Sequence, residues 1–181
     1  MRVNGTKPNA TGRSSGKLLG RLKKNMQPPK GEPWVWLTRE LITSDAWRSQ
    51  SITCRRLIEA LYVDQMNHAG TQNGNLIATY DQMVEQGSSR RLIRFAVEEA
   101  EFLGLIRYER GGRWAETNQP SLYRLTFFAD RDGNPPSNEW KKRTKIEIQE
   151  WKADRKKREK ARKSYRKKQI AGSPLLTTVM H

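Results

Sequence analysis

The 181-residue sequence has few of the residues that build disulfide frameworks, metal centres or membrane spans. One cysteine, Cys54, and two histidines are too few for an internal disulfide or for a zinc site of cysteine and histidine ligands. No run of about 18 apolar residues is present, so no segment is predicted to cross a membrane. The N-terminus also lacks the apolar core of a secretory signal. We therefore expect a cytoplasmic protein without a metal ion or another cofactor.

Lysine is absent from the middle of the chain, and this absence divides the sequence into three parts. Residues 1–31 contain eight basic residues and no acidic residue, a charge of +8. Residues 141–181 contain 15 bases and four acids (+11), and residues 32–140 contain 12 arginines and 15 acids (−3), which together give the net charge of +16. Lysine suits non-specific contact with phosphates, whereas the planar arginine side chain suits directed recognition. This division is typical of a domain that makes specific contacts and is flanked by two basic arms that attract phosphates non-specifically.

One helix is predicted between two glycines near the centre of this domain. Gly87 and Ser88 are expected to form a turn, and the hydroxyl of Ser88 or Ser89 can accept a hydrogen bond from the first helical turn. The helix is expected to reach about Leu103, and Gly104 can end it in a left-handed conformation. At about 100° per residue, its apolar residues fall on one side and most of its charged residues on the other.

The charges of this helix run against its dipole, which favours acids in the first turn and bases in the last. Three arginines, Arg90, Arg91 and Arg94, lie in the first turns, and the glutamates lie toward the end. A helix that enters the major groove would account for this order, because arginine binds guanine edges and phosphates there. The alternative is an ordinary surface helix with a solvated Arg94–Glu98 pair.

The neighbouring segments predict the other elements of a small domain. Helices are expected at residues 51–67, where Ser51 or Thr53 is the cap, and at residues 79–86. Strands are expected at Leu76-Ile77, at residues 105–110 and at residues 121–128. Gly111-Gly112 is a tight-turn signal, and it opens a polar loop at residues 111–120. Cys54 is expected to be a small buried apolar side chain.

Two further apolar features suggest that the domain has an additional packing surface. Trp34 and Trp36 are two residues apart, which suits an extended segment with one buried face. Leu92, Phe95 and Phe102 widen the apolar side of the central helix beyond the needs of one core contact. We expect the two tryptophans to cover this strip.

The region from about residue 46 to residue 128 resembles the winged helix-turn-helix domains of bacterial, phage and plasmid DNA-binding proteins. The matching segments are AWRSQSITCRRLIEALY, YDQMVEQGSSRRLIRFAVEEAEFLGLI and a strand ending in YRLTF. The resemblance implies that residues 89–103 read the major groove and that residues 111–120 are a wing on an adjacent groove or on the backbone. The DNA-contacting residues expected in this domain are Ser88, Ser89, Arg90, Arg91, Arg94, Arg113 and Trp114.

The C-terminal part is predicted to be a linker followed by a long basic helix. Residues 130–138 contain glycine and proline, whereas residues 139–170 contain neither and consist mostly of good helix formers. The apolar residues of this segment are too sparse for a coiled coil, so either a solvated helix or a helix formed on DNA is expected. The excess of basic residues favours phosphate binding. The candidates are Lys141, Lys142, Arg143, Lys156, Lys157, Arg158, Arg162 and Lys163.

The predicted fold class is α+β, mainly helical, with a winged helix-turn-helix domain at residues 32–129. Residues 1–31 are expected to be a disordered basic arm or solubilising tail, and residues 171–181 a disordered tail or a docking peptide for a protein partner. The predicted function is sequence-specific binding of double-stranded DNA by a transcriptional regulator or a replication-associated factor of a bacterial mobile element, located at the nucleoid or on a plasmid. A homodimer remains open.

Two other functional classes fit the sequence less well. An RNA-binding or ribosome-associated protein is the alternative, although the sequence has no aromatic strand of the kind that stacks on RNA bases. An enzyme is not expected, because no P-loop, HExxH motif or Ser-His-Asp set is visible. Asp130 and Asp132 are close in sequence but lie in a turn-rich linker.

Overall fold

A computed structural model describes residues 31–114 and 117–171, with only the backbone described at residues 113–118 and 166–171. The elements in chain order are α1 (Arg39–Thr43), α2 (Asp45–Arg48), α3 (Ile52–Asn67), α4 (Tyr80–Glu85), α5 (Arg90–Phe102), β1 (Ile106–Glu109), β2 (Arg113–Trp114), β3 (Thr117–Asn118), β4 (Leu122–Leu125), a 3-10 helix (Glu139–Lys142) and α6 (Lys145–Ala171). The predicted fold class, α+β and mainly helical, is confirmed at this level. The predicted arm at residues 1–31 and tail at residues 171–181 lie outside the described residues except for one residue each.

The helix limits follow the capping residues, with one exception. Ser51 caps α3 by accepting a hydrogen bond from the backbone of Cys54, as predicted, and Thr79 forms a reciprocal capping box with Gln82 at the start of α4. Gly104, with φ of 69°, follows the end of α5, which confirms the predicted left-handed stop. The prediction that a serine hydroxyl caps α5 is wrong. Ser89 is at the N-cap position, but its side chain makes no capping hydrogen bond.

The sheet lies behind α5 and joins three parts of the chain. β1 and β4 are antiparallel, with Ile106 opposite Leu125, and Leu76 pairs with Tyr123 of β4 through two backbone hydrogen bonds of 3.2 and 2.9 Å. The predicted strand at residue 76 is thus a single bridge beside β4. The predicted strand at residues 121–128 is too long, since the chain turns away at Thr126, whose hydroxyl donates to the Gly104 carbonyl at 2.7 Å.

The loop between β1 and β4 contains a second short hairpin. β2 pairs with β3 so that Arg113 faces Asn118 in register. The prediction of a tight turn at Gly111-Gly112 is wrong, because these glycines precede the hairpin and lie between β1 and β2. A Cβ atom on Gly111 would lie 2.2 Å from the Gln119 carbonyl oxygen, so the close passage of the two loop strands requires glycine here.

The core is formed by the facing sides of α3 and α5 and by the sheet. Its fully buried members include Leu41, Cys54, Leu57, Ile58, Leu61, Leu76, Met83, Ile93, Ala100, Leu103, Leu105, Ile106 and Leu125. Cys54 is therefore the buried apolar side chain that the sequence predicts, and burial raises the pKa of its thiol well above the ordinary value.

The expectation that Trp34 and Trp36 cover α5 is wrong. Trp36 is 75% exposed and Trp34 is also exposed. Within the same extended segment, Val35 and Leu37 are half-buried and pack against the core. Successive side chains of an extended chain point to opposite sides, so a shift of one residue reverses which of them is buried.

Asn73 joins the loop after α3 to the end of β4. Its buried amide nitrogen donates to the carbonyls of Leu125, Phe128 and Ala129 at 2.9, 3.2 and 3.0 Å, and its oxygen accepts from the backbone of Leu125 at 2.7 Å. Since the side chain is fully buried, each of these bonds replaces one that water would otherwise make.

The segment after the predicted linker packs into the same core. Trp140 of the 3-10 helix and Ile148 of α6 are both buried against it. The predicted single helix at residues 139–170 is interrupted, because α6 starts anew after Thr144, which forms a reciprocal cap with Glu147. The described residues from Val35 onward belong to one compact unit, so the beginning of the basic helix is an integral part of the domain.

Candidate nucleic-acid interface

The link between α4 and α5 is fixed by one arginine and one glycine. Gly87 has φ of 81°, and its carbonyl accepts a hydrogen bond from Arg56 of α3 at 2.5 Å. The next residue, Ser88, is buried, with its backbone nitrogen donating to Met83 at 2.9 Å. Its hydroxyl is buried without a hydrogen-bond partner among the described residues, so this position gives no support to the prediction that Ser88 contacts DNA. Ser89 is exposed.

Two arginines at the start of α5 lie on the exposed surface, each beside an acid. Arg90 forms an ion pair with Asp81 of α4 at 2.5 Å and lies over the ring of Tyr80. Arg94 pairs with Glu98 at 3.0 Å, and its side chain is 74% exposed. Ion pairs at such exposure contribute about 1 kcal/mol or less. A phosphate or a base edge can therefore replace either acid at small cost.

α6 lies antiparallel along a different side of α5. Trp151 stacks on Phe102 with ring centroids 4.7 Å apart and planes 9° from parallel. One turn further along α6, the guanidinium of Arg155 lies 5.2 Å from the centre of the Phe95 ring. α6 thus advances from the end of α5 toward its beginning, and it covers Phe95 and Phe102 of the apolar strip that the sequence assigns to the tryptophans near residue 35, whereas Leu92 stays exposed.

A buried carboxylate completes the contact between these two helices. Glu99 is 1% exposed and accepts hydrogen bonds from the backbone and the hydroxyl of Ser51 at 3.0 and 2.5 Å. Arg155 approaches the same carboxylate at 3.4 Å. Since a buried charge is stable only when it is paired and hydrogen-bonded, Glu99 requires both partners. We call Phe95, Glu99, Phe102, Trp151 and Arg155 the α5–α6 clamp.

Sequence reasoning missed the clamp, although two signals for it were present. The surplus apolar residues of α5 indicated that something must cover them. Trp151 lies three residues after the buried Ile148 and four before Arg155, which places all three on one side of α6. Three such residues in an otherwise basic segment are too few for a helical periodicity to be recognised from the sequence.

Arg91 is exposed, as Arg90 and Arg94 are. The pKa of the Glu159 carboxyl is lowered, first by a hydrogen bond from Lys163 and by the charge of that lysine, and further by the charges of Arg155 and Arg91. Glu159 follows Arg155 by one helical turn, so the order of the contacts made by Trp151 and Arg155 places it toward the first turn of α5.

The basic candidates after the linker differ in what they can reach. Lys141 pairs with Glu40 at 2.7 Å, and the half-buried Arg143 lies over the Phe102 ring at 4.7 Å, which gives it a packing role. Lys141 is exposed, and so are the remaining candidates Lys142, Lys156, Lys157, Arg158, Arg162 and Lys163. The wing candidates, Arg113 and Trp114, belong to β2, of which only the backbone is described.

The acidic residues of α6 are confined to the half that packs on the domain. Residues 145–159 contain six bases and four acids, whereas residues 160–171 contain six bases and no acid. We call these the inner and outer halves of α6. The described side chains of the outer half, through residue 165, are all exposed.

In the described ranges, no group of three or more histidine, cysteine, aspartate or glutamate side chains is arranged to hold a metal ion. Among the helices described, none is both long enough and apolar enough to pass through a membrane. Compared with known proteins, the chain matches no protein family, no curated protein and no solved structure.

Proposed function

We propose that the chain is a sequence-specific double-stranded DNA-binding protein with a winged helix-turn-helix domain. In favour of this fold, α4 and α5 are joined by a short turn at Gly87, and the strands that follow α5 pair as a hairpin. The bridge from Leu76 to β4 places the segment before α4 in the same sheet. In this arrangement α5 is the recognition helix and the loop between β1 and β4 is the wing.

The observation that carries the proposal is the position of Arg90 and Arg94. Both are exposed in the first turns of α5, where the helix dipole disfavours basic residues. Neither contributes to the core, and their exposed ion pairs add only about 1 kcal/mol or less to stability. Recognition helices contact base edges mainly through their N-terminal residues, and an arginine can make two hydrogen bonds to a guanine.

The ion pairs on α5 are better suited to sequence-specific recognition of DNA than to non-specific binding. Where Arg94 meets a guanine, Glu98 is released from the pair at low cost and can accept a hydrogen bond from the amino group of a cytosine. Where no suitable base is present, Glu98 stays beside Arg94 and reduces its attraction for phosphates. Basic residues of α6 would then supply sequence-independent affinity.

The proposed cellular role is transcriptional regulation or a replication-associated task of a bacterial mobile element. Both roles require the same recognition of duplex DNA. The location of the recovered binding sites, upstream of a coding region or within a replication origin, separates them.

The test compares two exposed arginines that each pair with an exposed acid. After selection of the preferred duplex from random sequences, Arg94→Ala should lose about 1–3 kcal/mol of discrimination between that duplex and a scrambled one. Arg131→Ala is the matched control, since Arg131 pairs with Asp132 far from α5 in sequence. It should keep the discrimination of the original protein.

Two results would count against the proposal. Equal loss of affinity by Arg94→Ala for both duplexes would restrict Arg94 to phosphate contact. Tighter binding of the full chain to RNA than to any DNA duplex, in the same salt, would favour the RNA-binding alternative.

A further inference from the structure

The outer half of α6 has a charge composition that its own stability does not require. A solvated helix is stabilised by basic and acidic side chains four residues apart, and the inner half has such mixed charges. The outer half has six bases and no acid over 12 residues. Repulsion between like charges at this spacing disfavours the helix, so the surplus indicates an anionic partner.

The α5–α6 clamp determines where the outer half lies. The contacts run from Phe102 with Trp151 to Phe95 with Arg155, so successive turns of α6 meet successively earlier turns of α5. Residue 159, one turn beyond Arg155, is thus level with the first turn of α5, and the helix continues without a break to residue 171. At about 1.5 Å per residue, residues 160–171 extend about 18 Å beyond that point.

We infer that the outer half of α6 binds the phosphate backbone of duplex DNA beside the bases that α5 reads, and that the clamp fixes which phosphates it reaches. This inference rests on the proposed function. The major groove is about 12 Å wide and a helix about 10–12 Å, so α5 fills it. A second helix fixed against the flank of α5 lies at the wall of the groove, where the phosphates are.

The length of the outer half sets the size of the additional contact. Successive phosphates on one strand are about 3.4 Å apart along the DNA axis, so about 18 Å of helix spans about five base pairs. The contact is on one side only, because α6 leaves α5 in a single direction. A flexible basic tail would give no such fixed position, and ordering it on DNA would cost conformational entropy.

The test is hydroxyl-radical footprinting of the full chain on its selected duplex. We expect protection of the α5 site and of about five further base pairs on one side of it. Trp151→Ala removes the stacking on Phe102 without changing charge and should weaken the flanking protection severalfold. Ile146→Ala is the control, because Ile146 is on the same helix but 68% exposed. It should keep the footprint unchanged.

A second pair of variants tests the clamp if Trp151→Ala fails to fold. Arg155→Gln and Lys145→Gln each remove one positive charge from α6, but only Arg155 contacts Glu99 and Phe95. Lys145 is exposed at the start of the helix. Arg155→Gln should lose flanking protection and Lys145→Gln should keep it. Equal footprints for the two variants would overturn the role of the clamp.

A charge variant of the outer half separates this inference from the proposed function. Lys160→Gln, Arg162→Gln and Lys163→Gln together should remove the flanking protection and lower the salt slope by up to about 2.7, that is, about 0.9 for each of three contacts. Preference for the selected duplex should remain. A protected α5 site without flanking protection in the original chain would overturn the inference alone. A chain that does not distinguish the selected duplex from a scrambled one would overturn the proposed function.

Discussion

The exposed side of α5 and the outer half of α6 present positive charge in opposite ways. On α5, Arg90 and Arg94 each have an acid within 3.0 Å. On the outer half of α6, the sequence supplies six bases and no acid. The first surface has little net charge and well-placed hydrogen-bond donors, whereas the second has high net charge on side chains that are exposed as far as residue 165.

Under the proposed function, this difference corresponds to a division of tasks within one protein. Attraction between distant charges depends on net charge and falls with added salt. Hydrogen bonding to a base edge acts over about 3 Å and depends on geometry. A surface of paired charges is therefore suited to choose among DNA sequences, and a surface with a large excess of bases is suited to hold any of them.

The largest expected effect comes from removing the bases of residues 1–31 and of the outer half of α6. A chain limited to residues 32–159 loses the eight bases before residue 32 and the six after residue 159, so its net charge falls from +16 to +2. The full chain, with about 6–10 phosphate contacts, should lose affinity by about 10³–10⁵ between 50 and 200 mM salt, and the shortened chain, with about 2–4, by roughly 10–100-fold.

The cut at residue 159 matters, since a cut at residue 140 would also remove the buried Ile148 and the stacked Trp151. The measurement is a salt titration of both chains on the selected and the scrambled duplex. The rank order of the duplexes should survive the truncation. Loss of that order would place sequence recognition in the basic arms.

The next effect concerns Gly104, which sets the position of the 3-10 helix against the end of α5. A Cβ atom there would lie 2.7 Å from the Glu139 backbone carbonyl carbon, at φ of 69°. Gly104→Ala should lower the free energy of unfolding by about 2–4 kcal/mol, through backbone strain and overlap together.

Gly133→Ala is the matched control in the same denaturation experiment. Gly133 also has a positive φ, 82°, but nothing lies within 4 Å of its added Cβ. It should cost about 1 kcal/mol, from backbone strain alone. Equal losses for the two variants would mean that the contact between Gly104 and the 3-10 helix does not stabilise the fold.

The smallest effect comes from removing an acid from the exposed side of α5, which gives that surface an excess of positive charge like that of the outer half of α6. Glu98→Gln removes the acid that pairs with Arg94 and should raise affinity for scrambled DNA by about 2–5-fold, in line with the energy of an exposed ion pair. Asp132→Asn, which frees Arg131 in the same way, should leave affinity unchanged. A loss of binding confined to the selected duplex would instead show that Glu98 contacts a base.

The local rules of the sequence predicted the elements of the domain more accurately than their packing. The cap at Ser51, the left-handed stop at Gly104 and the burial of Cys54 each depend on a few neighbouring residues and are confirmed. The side chain of Ser88 is buried because Gly87 turns the chain toward the core, a change of direction that a serine near a helix start does not reveal.

The position of α6 could not be predicted for a different reason. The apolar strip on α5 showed that a partner was needed, but it did not identify which part of the chain was the partner. From the sequence alone, Trp36 and Trp151 are equally suitable to cover this strip. Only the structure, in which Val35 and Leu37 pack against the core and Trp36 is exposed, decides between them. The arginines of α5 were found because they contradict the helix dipole, whereas Glu99 was not distinguishable from its exposed neighbours.

The buried amide of Asn73 has a consequence for the chemical ageing of this protein. Asn73 precedes Gly74, and an asparagine before glycine readily loses ammonia when its side chain is free to close on the next backbone nitrogen. In the folded protein the three carbonyls that hold the amide oppose this reaction. In the unfolded chain nothing restrains it, and an aspartate at position 73 would bring a carboxylate against the same carbonyls. Long exposure to denaturing conditions should therefore make unfolding progressively irreversible.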